Sequence, residues 1–543
     1  MVNFTNFLSA ENFEEGDFFV GYRGTEEIRW PFVSVGTSSP PVVDVPTPSP
    51  NTGGSDSNFF ILGDGSIRFV GKNSYGHGGL GAGKAAAADV ITFPRQPAFD
   101  PPLLPQEKIV KVYIQVASSF VITDLGNVYA CGRNDCYQLG TNDAVHKGVF
   151  TKILKTTPDT SSAIYAGSGD KVQALSLGSG SGATNLTIFA RTEMGKIFVW
   201  GYNGKTLQRA GLGNTTSNYI AQPTQITTLP NGTDKIVQIA GAGNNGNQVH
   251  FVRTQGGKVY AIGESGTGAV GSGSFTVDRT TFTEPVGLPT GYIAKDIIVG
   301  GEAGNLSSWV IMANGEVYAT GYNSNGQVNQ TVNGSGALTV AKQHTFAKIN
   351  ALSGVSKIVV HADSAATTIW ALQQTGTMPD GTLVYGQAKG WGNNTRGQLG
   401  LGTTATTIAT PTSNASWPFS SGILDMVVGG NDSNKVTVLI DKDLNVWSAG
   451  YNNTGLCGNG TNAVAQATFT RVLVNPNAGK PKKLLSCANG VNDGSGTPKA
   501  CMFLLLDTGK LLAWGYDSNT AGQLGIDSSP SKCDVPSFVL ITH

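Results

Sequence analysis

Val128–Gly140 reads VYACGRNDCYQLG: four residues of apolar strand character, then glycine, a polar residue and asparagine, then a short turn closing on Gln-Leu-Gly. The same pattern returns in Ile67–Gly83, Ile197–Gly213, Val259–Gly273, Val317–Gln330, Gly390–Gly402, Val446–Gly460 and Leu511–Gly525. Copies separated by roughly 60 to 70 residues mark a stacked or circular array of one supersecondary unit. Outward from each copy the grammar is constant and its period is two. In one unit Lys235–Ile239, Val249–Thr254 and Val259–Ile262 are followed by a return strand at Phe282–Val286. Lys108–Val112, Phe120–Thr123 and Val128–Ala130 repeat that order, as do Lys357–Val360, Ile369–Leu372 and Val384–Tyr385.

Four short antiparallel strands cannot bury both of their faces alone, and closing such units into a ring removes their exposed edges. The expected fold is therefore all-β, a propeller of seven or eight four-stranded blades, with eight signatures counted. The first unit lacks a lead strand, while Val535–Ile541 forms a strand with no unit after it. The expectation is that this C-terminal strand completes the N-terminal blade. The signature glycines (Gly132, Gly201, Gly263, Gly321, Gly450, Gly515) suit a positive φ or a crowded neighbour. Asn134, Asn203, Asn323 and Asn452 suit hydrogen bonding to local backbone.

Composition agrees. Of 543 residues 73 are glycine and only 13% are charged, with 36 basic and 36 acidic side chains. A net charge of zero offers no field for nucleic acid or an acidic membrane, and Gly479–Lys483 (GKPKK), the densest basic stretch, reads as a solvated loop. Six cysteines without CxxC pairs fit a reduced compartment better than a disulfide scaffold. Neither a signal peptide nor a membrane-spanning run is present, so the expected site of assembly is a cytoplasm.

Three regions follow: an N-terminal segment at 1–35, a Pro/Ser/Gly-rich linker at 36–57, and the propeller at 58–543. The first contains FFVGY at Phe18–Tyr22 and IRWPFVSV at Ile28–Val35, enough for a hairpin but short of the ~40 residues that a core needs. Phe18, Phe19, Tyr22, Arg29 and Trp30 are its candidate attachment residues.

The unit resembles the repeat of the regulator of chromosome condensation propeller family, most closely at Gly195–Gly213, Asp380–Gly402 and Gly509–Gly525. That resemblance implies the propeller fold and, for members that exchange guanine nucleotide on a small GTPase, acidic and histidine side chains on one face. The family's His-Ser/Thr pair is replaced here by Ser118–Ser119 and Ser307–Ser308, so none of those positions carries over. The N-terminal segment resembles the start of bacteriophage tail-fibre and tail-spike proteins at Leu8–Ala10, Asp17–Tyr22 and Gly24–Trp30.

Chemistry is sparse. No phosphate loop or His-Glu-x-x-His string occurs, and no cofactor or metal is expected. His250 sits in a strand, His361 with Asp363 lacks a nucleophile, and Asp432, Asp441 and Asp443 read as turn aspartates. Trp200, Trp391 and Trp514 recur at one place and read as packing between blades, while Trp309 and Trp370 stand on another strand and read as core. Recognition is expected instead in the long polar loops Gly178–Asn185, Thr375–Thr382 and Asn489–Pro498, with Asp493 in the last.

The resulting expectation is a non-enzymatic phage virion protein, assembled in the host cytoplasm. It would be docked to other tail proteins, a possible homotrimer, and would contact a host-surface glycan or protein. The alternatives are a cellular interaction scaffold or exchange factor for a small GTPase, and an enzyme acting on surface polysaccharide.

Overall fold

A computed structural model of the chain describes residues 18–23, 26–31, 41–44, 57–81, 90–115, 117–156, 161, 163–167, 169–178, 185–204, 211–212, 218–244, 247–302, 304–328, 338–362, 366–414, 417–431, 434–487, 500–516, 524–526 and 532–539. Among these the repeats form eight blades, each with strands a to d in sequence order. Blade 1 is Val42–Asp44, Ser57–Leu62, Ile67–Lys72 and Val90–Arg95; blade 2 is Ile109–Gln115, Ser118–Thr123, Val128–Gly132 and Lys147–Lys155. Blade 3 is Val172–Leu177, Thr187–Thr192, Ile197–Tyr202 and Tyr219–Ile226; blade 4 is Ile236–Asn244, Asn247–Thr254, Val259–Gly263 and Arg279–Thr283. Blade 5 is Ala294–Gly300, Ser307–Met312, Val317–Tyr322 and Lys342–Lys348; blade 6 is Lys357–Ala362, Thr367–Thr377, Leu383–Asn393 and Thr407–Ser413. Blade 7 is Ile423–Asn431, Asn434–Asp441, Val446–Tyr451 and Ala465–Arg471; blade 8 is Pro481–Cys487, Cys501–Leu506, Leu511–Tyr516 and Lys532–Phe538. Blades 6 and 7 are further joined by one pair, Tyr385 with Ile423.

Strands b and c are buried on both faces, which is why they read as unbroken apolar runs such as Cys501–Leu506. The outer d strands alternate, as in Val90–Arg95. Hydrophobic clusters fill every junction between neighbouring blades, one of them spanning both sides of blade 3, so every sheet is covered by the next. The last joins blade 8 to blade 1: Phe60 meets Phe503 edge-on at 5.8 Å within a group that includes Val42, Leu62, Leu485 and Leu505.

Closure differs from the sequence expectation. Lys532–Phe538 pairs with Leu511–Tyr516 of its own blade, and the missing lead strand of blade 1 is Val42–Asp44, within the stretch expected to be linker. Flanked by Pro, Ser and Thr, three residues carry no visible period, yet they suffice. Val42 N–H donates to the Gly509 carbonyl (3.0 Å) and Lys483 Nζ pairs with Asp44 (2.6 Å), so the ring is sealed by packing of whole blades, not by an exchanged strand. Lys483 thus belongs to a strand, not to a solvated loop.

Strands a lie innermost, where those of successive blades approach one another. In seven blades the strand bulges at its second residue, which turns the following side chain toward the neighbouring blade. Polar links result: Lys111 Nζ donates to the Gln173 carbonyl (2.6 Å), Gln238 Nε2 to Asp296 (2.6 Å), and Lys357 pairs with Asp425 (3.6 Å). At the outer edge Pro94, Pro223, Pro411 and Pro536 stand within the d strands, where a missing N–H blunts edge-to-edge pairing.

Phe18–Arg23 and Glu26–Pro31 form the expected hairpin, with Phe18 opposite Pro31, Phe19 opposite Trp30, Arg29 opposite Val20 and Tyr22 opposite Glu27. Four cysteines are buried free thiols, whereas Cys501, opposite Cys487 in the register, is disulfide-bonded, against the expectation of six reduced thiols.

Candidate interaction face

The a–b and c–d connections lie on one side of the ring, here the loop face. The b–c turns and d–a connections lie on the other, the turn face. Pro41 leads into blade 1 on the turn face, where its carbonyl accepts from Gly63 N–H (2.8 Å) beside the b–c turn of that blade.

Among the described residues the signatures of blades 1, 2, 5, 6 and 7 each build a clamped c–d loop. The glycine closing strand c has positive φ, and a side chain there would strike strand b: at Gly450 (φ +129) a Cβ would stand 2.3 Å from the Lys435 carbonyl. The asparagine that follows is buried and clamps the loop from inside. Asn73, Asn134, Asn323, Asn394 and Asn452 each accept, through Oδ1, the backbone N–H five residues on, at 2.7–3.0 Å. In the last four, Nδ2 donates to a carbonyl on the far limb: Asp143, Val340, Thr403 and Thr461. The tryptophans then fasten blade to blade. Trp200 Nε1 donates to the Gln138 carbonyl (2.9 Å), Trp391 to Gln327 (3.2 Å) and Trp514 to Leu456 (2.9 Å), each in the preceding blade's loop. Trp309 also reaches Gln327 (3.1 Å), within its own blade, and Trp370 reaches Thr437 (3.2 Å). Asparagine and tryptophan are therefore scaffold, as their recurrence suggested.

Several of the ionisable residues singled out in the sequence are internal fixtures too, whereas Asp443 is exposed and Asp363 and Asp432 lie outside the described residues. His250 is fully buried, 3.2 Å from Ser176 Oγ, and burial drives its pKa down to about 3. Asp441 accepts from Asn445 and from Trp447 Nε1 (2.8 Å). Burial raises the Cys131 thiol well above its ordinary value and Cys457 to about 12. Among the described residues no group of three or more His, Cys, Asp or Glu is placed to hold a metal ion, and no helix is long and apolar enough to cross a membrane.

The described parts of the expected recognition loops lie on opposite faces of the ring. Gly178 and Asn185 bound the a–b loop of blade 3 on the loop face, where Gln248 Nε2 of blade 4 donates to the Asn185 carbonyl (2.6 Å). Thr375–Thr382 is not a loose loop but an extension of strands b and c of blade 6. Thr377 pairs with Leu383, and Met378 N–H closes the turn on Thr382, out on the turn face. Asn489 and Asp493 lie outside the described residues.

Beside Asn185 the structure shows a feature missed in the sequence. Asn185 Oδ1 faces Cys136 Sγ at 3.7 Å, and Cys136 precedes a ledge of half-buried aromatic rings on blades 1 to 3. Tyr137 lies 5.5 Å from Tyr219, which lies 6.0 Å from Tyr202. Across the same loop the Arg133 guanidinium covers Tyr75 at 5.0 Å, and His146 meets that ring edge-on at 4.9 Å. His146 Nδ1 accepts from Asn134 N–H (3.0 Å), which locks the ledge to the clamp beneath it. Arg133 binds Asp135 through two nitrogens (2.6–2.9 Å), which raises the arginine pKa; at Asp135 burial opposes ionisation but the arginine outweighs it, and the carboxyl is held low. Tyr75 and Tyr137 both have left-handed backbone, φ 57 and 58. The signal was present: Tyr137 occupies the place that Gly326, Gly397 and Gly455 hold in other copies. Two clefts of about 210 and 300 Å³, lined in part by Ile67 and Phe99 and by Lys111 and Glu193, open instead toward the turn face.

No family model matches the sequence. A stretch of 152 residues, 28% of this chain, is 31% identical to the X-linked retinitis pigmentosa GTPase regulator of Mus musculus. The Homo sapiens protein of that name is 28% identical over 174 residues, 32% of this chain. These matches span only 13% and 14% of the relatives' own length. Among solved structures, human WBSCR16 is similar with 16% identity and a TM-score of 0.49, covering 76% of this chain and 94% of that one. Yeast RCC1 (Prp20), solved with Kap60, is similar with 17% identity and a TM-score of 0.49, covering 76% of this chain and 83% of that one.

Proposed function

We propose that this chain is a non-catalytic interaction scaffold that receives a partner on its loop face. The observation that carries the reading is the tyrosine ledge itself, set beside a loop clamped from within and on the side of the ring opposite Pro41, where the chain enters blade 1. Tyrosine and arginine dominate the energetics of contact surfaces because they offer large, stiff, partly polar area at small entropic cost. Loops on a rigid frame are where binding residues accumulate. The name of the mammalian relatives, a GTPase regulator, makes a small GTPase one partner class to try, with accelerated nucleotide release as the sign of exchange activity.

A second reading, a phage tail component, is favoured by the N-terminal hairpin and by the side on which its chain joins the ring. Docking through the hairpin to other tail proteins would leave the ledge pointing outward, and trimerisation there would multiply weak contacts. Both readings share one geometry, so one experiment tests them. A photo-crosslinking residue at Asn142, on the loop face, should capture the native partner, and one at Asp380, on the turn-face hairpin, should not. Capture from Asp380 alone would overturn the proposal.

A further inference from the structure

We propose that the ledge of Tyr137, Tyr202 and Tyr219 binds a neutral saccharide chain; this rests on the loop face being the contact face and adds the chemistry of what it contacts. The argument begins with backbone conformation. In blades 5, 6 and 7 the residue three after the clamp asparagine is Gly326, Gly397 or Gly455, with φ of 71, 74 and 74. Blade 2 makes the same turn with Tyr137 at φ 58. A tyrosine is strained in that region, and glycine is the ordinary solution in this very fold. Such an outlier points to a use for the side chain beyond closing the turn.

The ring of Tyr137 lies tilted by 36° against Tyr219, which continues to Tyr202, so three half-buried rings pave one stretch of surface. Among the described residues the formal charges bordering them are paired in place, Arg133 with Asp135 and Lys147 with Asp143. Amides stand at the rim, Asn185 on one side and the exposed Asn142 on the other. A pyranose matches this composition. Its C–H face lies against an aromatic face, whose negative quadrupole attracts the C–H dipoles, while its hydroxyls take up amide donors and acceptors. Among the described residues a strongly charged partner would find no uncompensated countercharge here.

The test is an array of immobilised neutral and acidic oligosaccharides, probed with the full chain. Retention on neutral glycans is expected, with an affinity changing less than about twofold between roughly 0.05 and 0.5 M salt. Tyr137→Gly, which the turn accommodates, and Tyr219→Ala should each weaken retention at least tenfold, whereas Thr377→Ala on the turn face should leave it unchanged. No retention of neutral glycans, retention of acidic glycans alone with steep salt dependence, or retention indifferent to Tyr137→Gly would each overturn the inference. An empty array with crosslinks still arising from Asn142 refutes only the saccharide; crosslinks arising only from Asp380 refute the contact face itself.

Discussion

Replacing Asn452 by alanine should unlock one loop while leaving the ring folded. Its Oδ1 is the acceptor for the buried Cys457 N–H (2.9 Å), and its Nδ2 donates to the Thr461 carbonyl (3.0 Å). Alanine leaves a buried amide unpaired, a cost of about 1–3 kcal/mol, and deletes a second bond contributing about 0.5–1.5 kcal/mol. Together these come to about 1.5–4.5 kcal/mol of local stability, or ~10- to ~1600-fold in an opening equilibrium at 1.4 kcal/mol per decade. Native-state hydrogen exchange, read by mass spectrometry on a peptide covering residues 452–464, measures that opening directly. Because Trp514 Nε1 donates to the Leu456 carbonyl in the same loop, its fluorescence should shift to the red in the variant. Asn452→Asp keeps the acceptor but sets a carboxylate oxygen against the Thr461 carbonyl, so it should rescue little. Exchange in the variant within about threefold of the wild type would refute the clamp.

Tyr137→Gly should not lower the melting temperature, because relief of left-handed strain, about 1 kcal/mol or more, offsets the lost ring contact and the looser unfolded chain; a fall of several degrees in a thermal melt would show that the ring is there for packing. At the seam, Phe503→Ala should cost about 3–5 kcal/mol in denaturant titrations, whereas Lys483→Ala, breaking an exposed pair with Asp44, should cost less than ~1 kcal/mol. His250 has a folded pKa of about 3, below its unfolded value of 6.5, so the unfolded state binds the extra proton. Its contribution is therefore complete above pH 6.5 and is lost progressively as the pH falls toward 3, about 1.4 kcal/mol per unit. His250→Phe should flatten the stability profile between pH 6.5 and 4 by close to one proton, and an unchanged slope would contradict its burial.

Most of the ring was legible because strands b and c are covered on both faces. Apolar runs such as Phe120–Thr123 and Val128–Ala130 stand out against glycine-rich turns, and the clamp asparagine and the tryptophan recur at fixed offsets from them. What escaped is what has no period. Val42–Asp44 is too short to alternate, and its place is set by Gly509 and Lys483, more than four hundred residues away. The Thr375–Thr382 stretch looked like an insertion because its polar residues face solvent on both sides of an extended hairpin. The candidate site was half legible: Asn185 marks its rim, but Tyr137 stands inside the signature turn with no apolar run beside it to mark a surface. Tyr219 and Tyr202 meet it only through the packing of blade 3 on blade 2. Tyrosine in a slot that Gly76, Gly326, Gly397 and Gly455 fill in other copies was the available clue.

Electron cryo-microscopy of the full chain in its native assembly tests the central claim most directly. The account predicts eight blades closed by blade 8 on blade 1, with partner density lying on the loop face over Tyr137 and Tyr219. Density confined to the turn face or to the outer d strands, with the ledge bare, would contradict it.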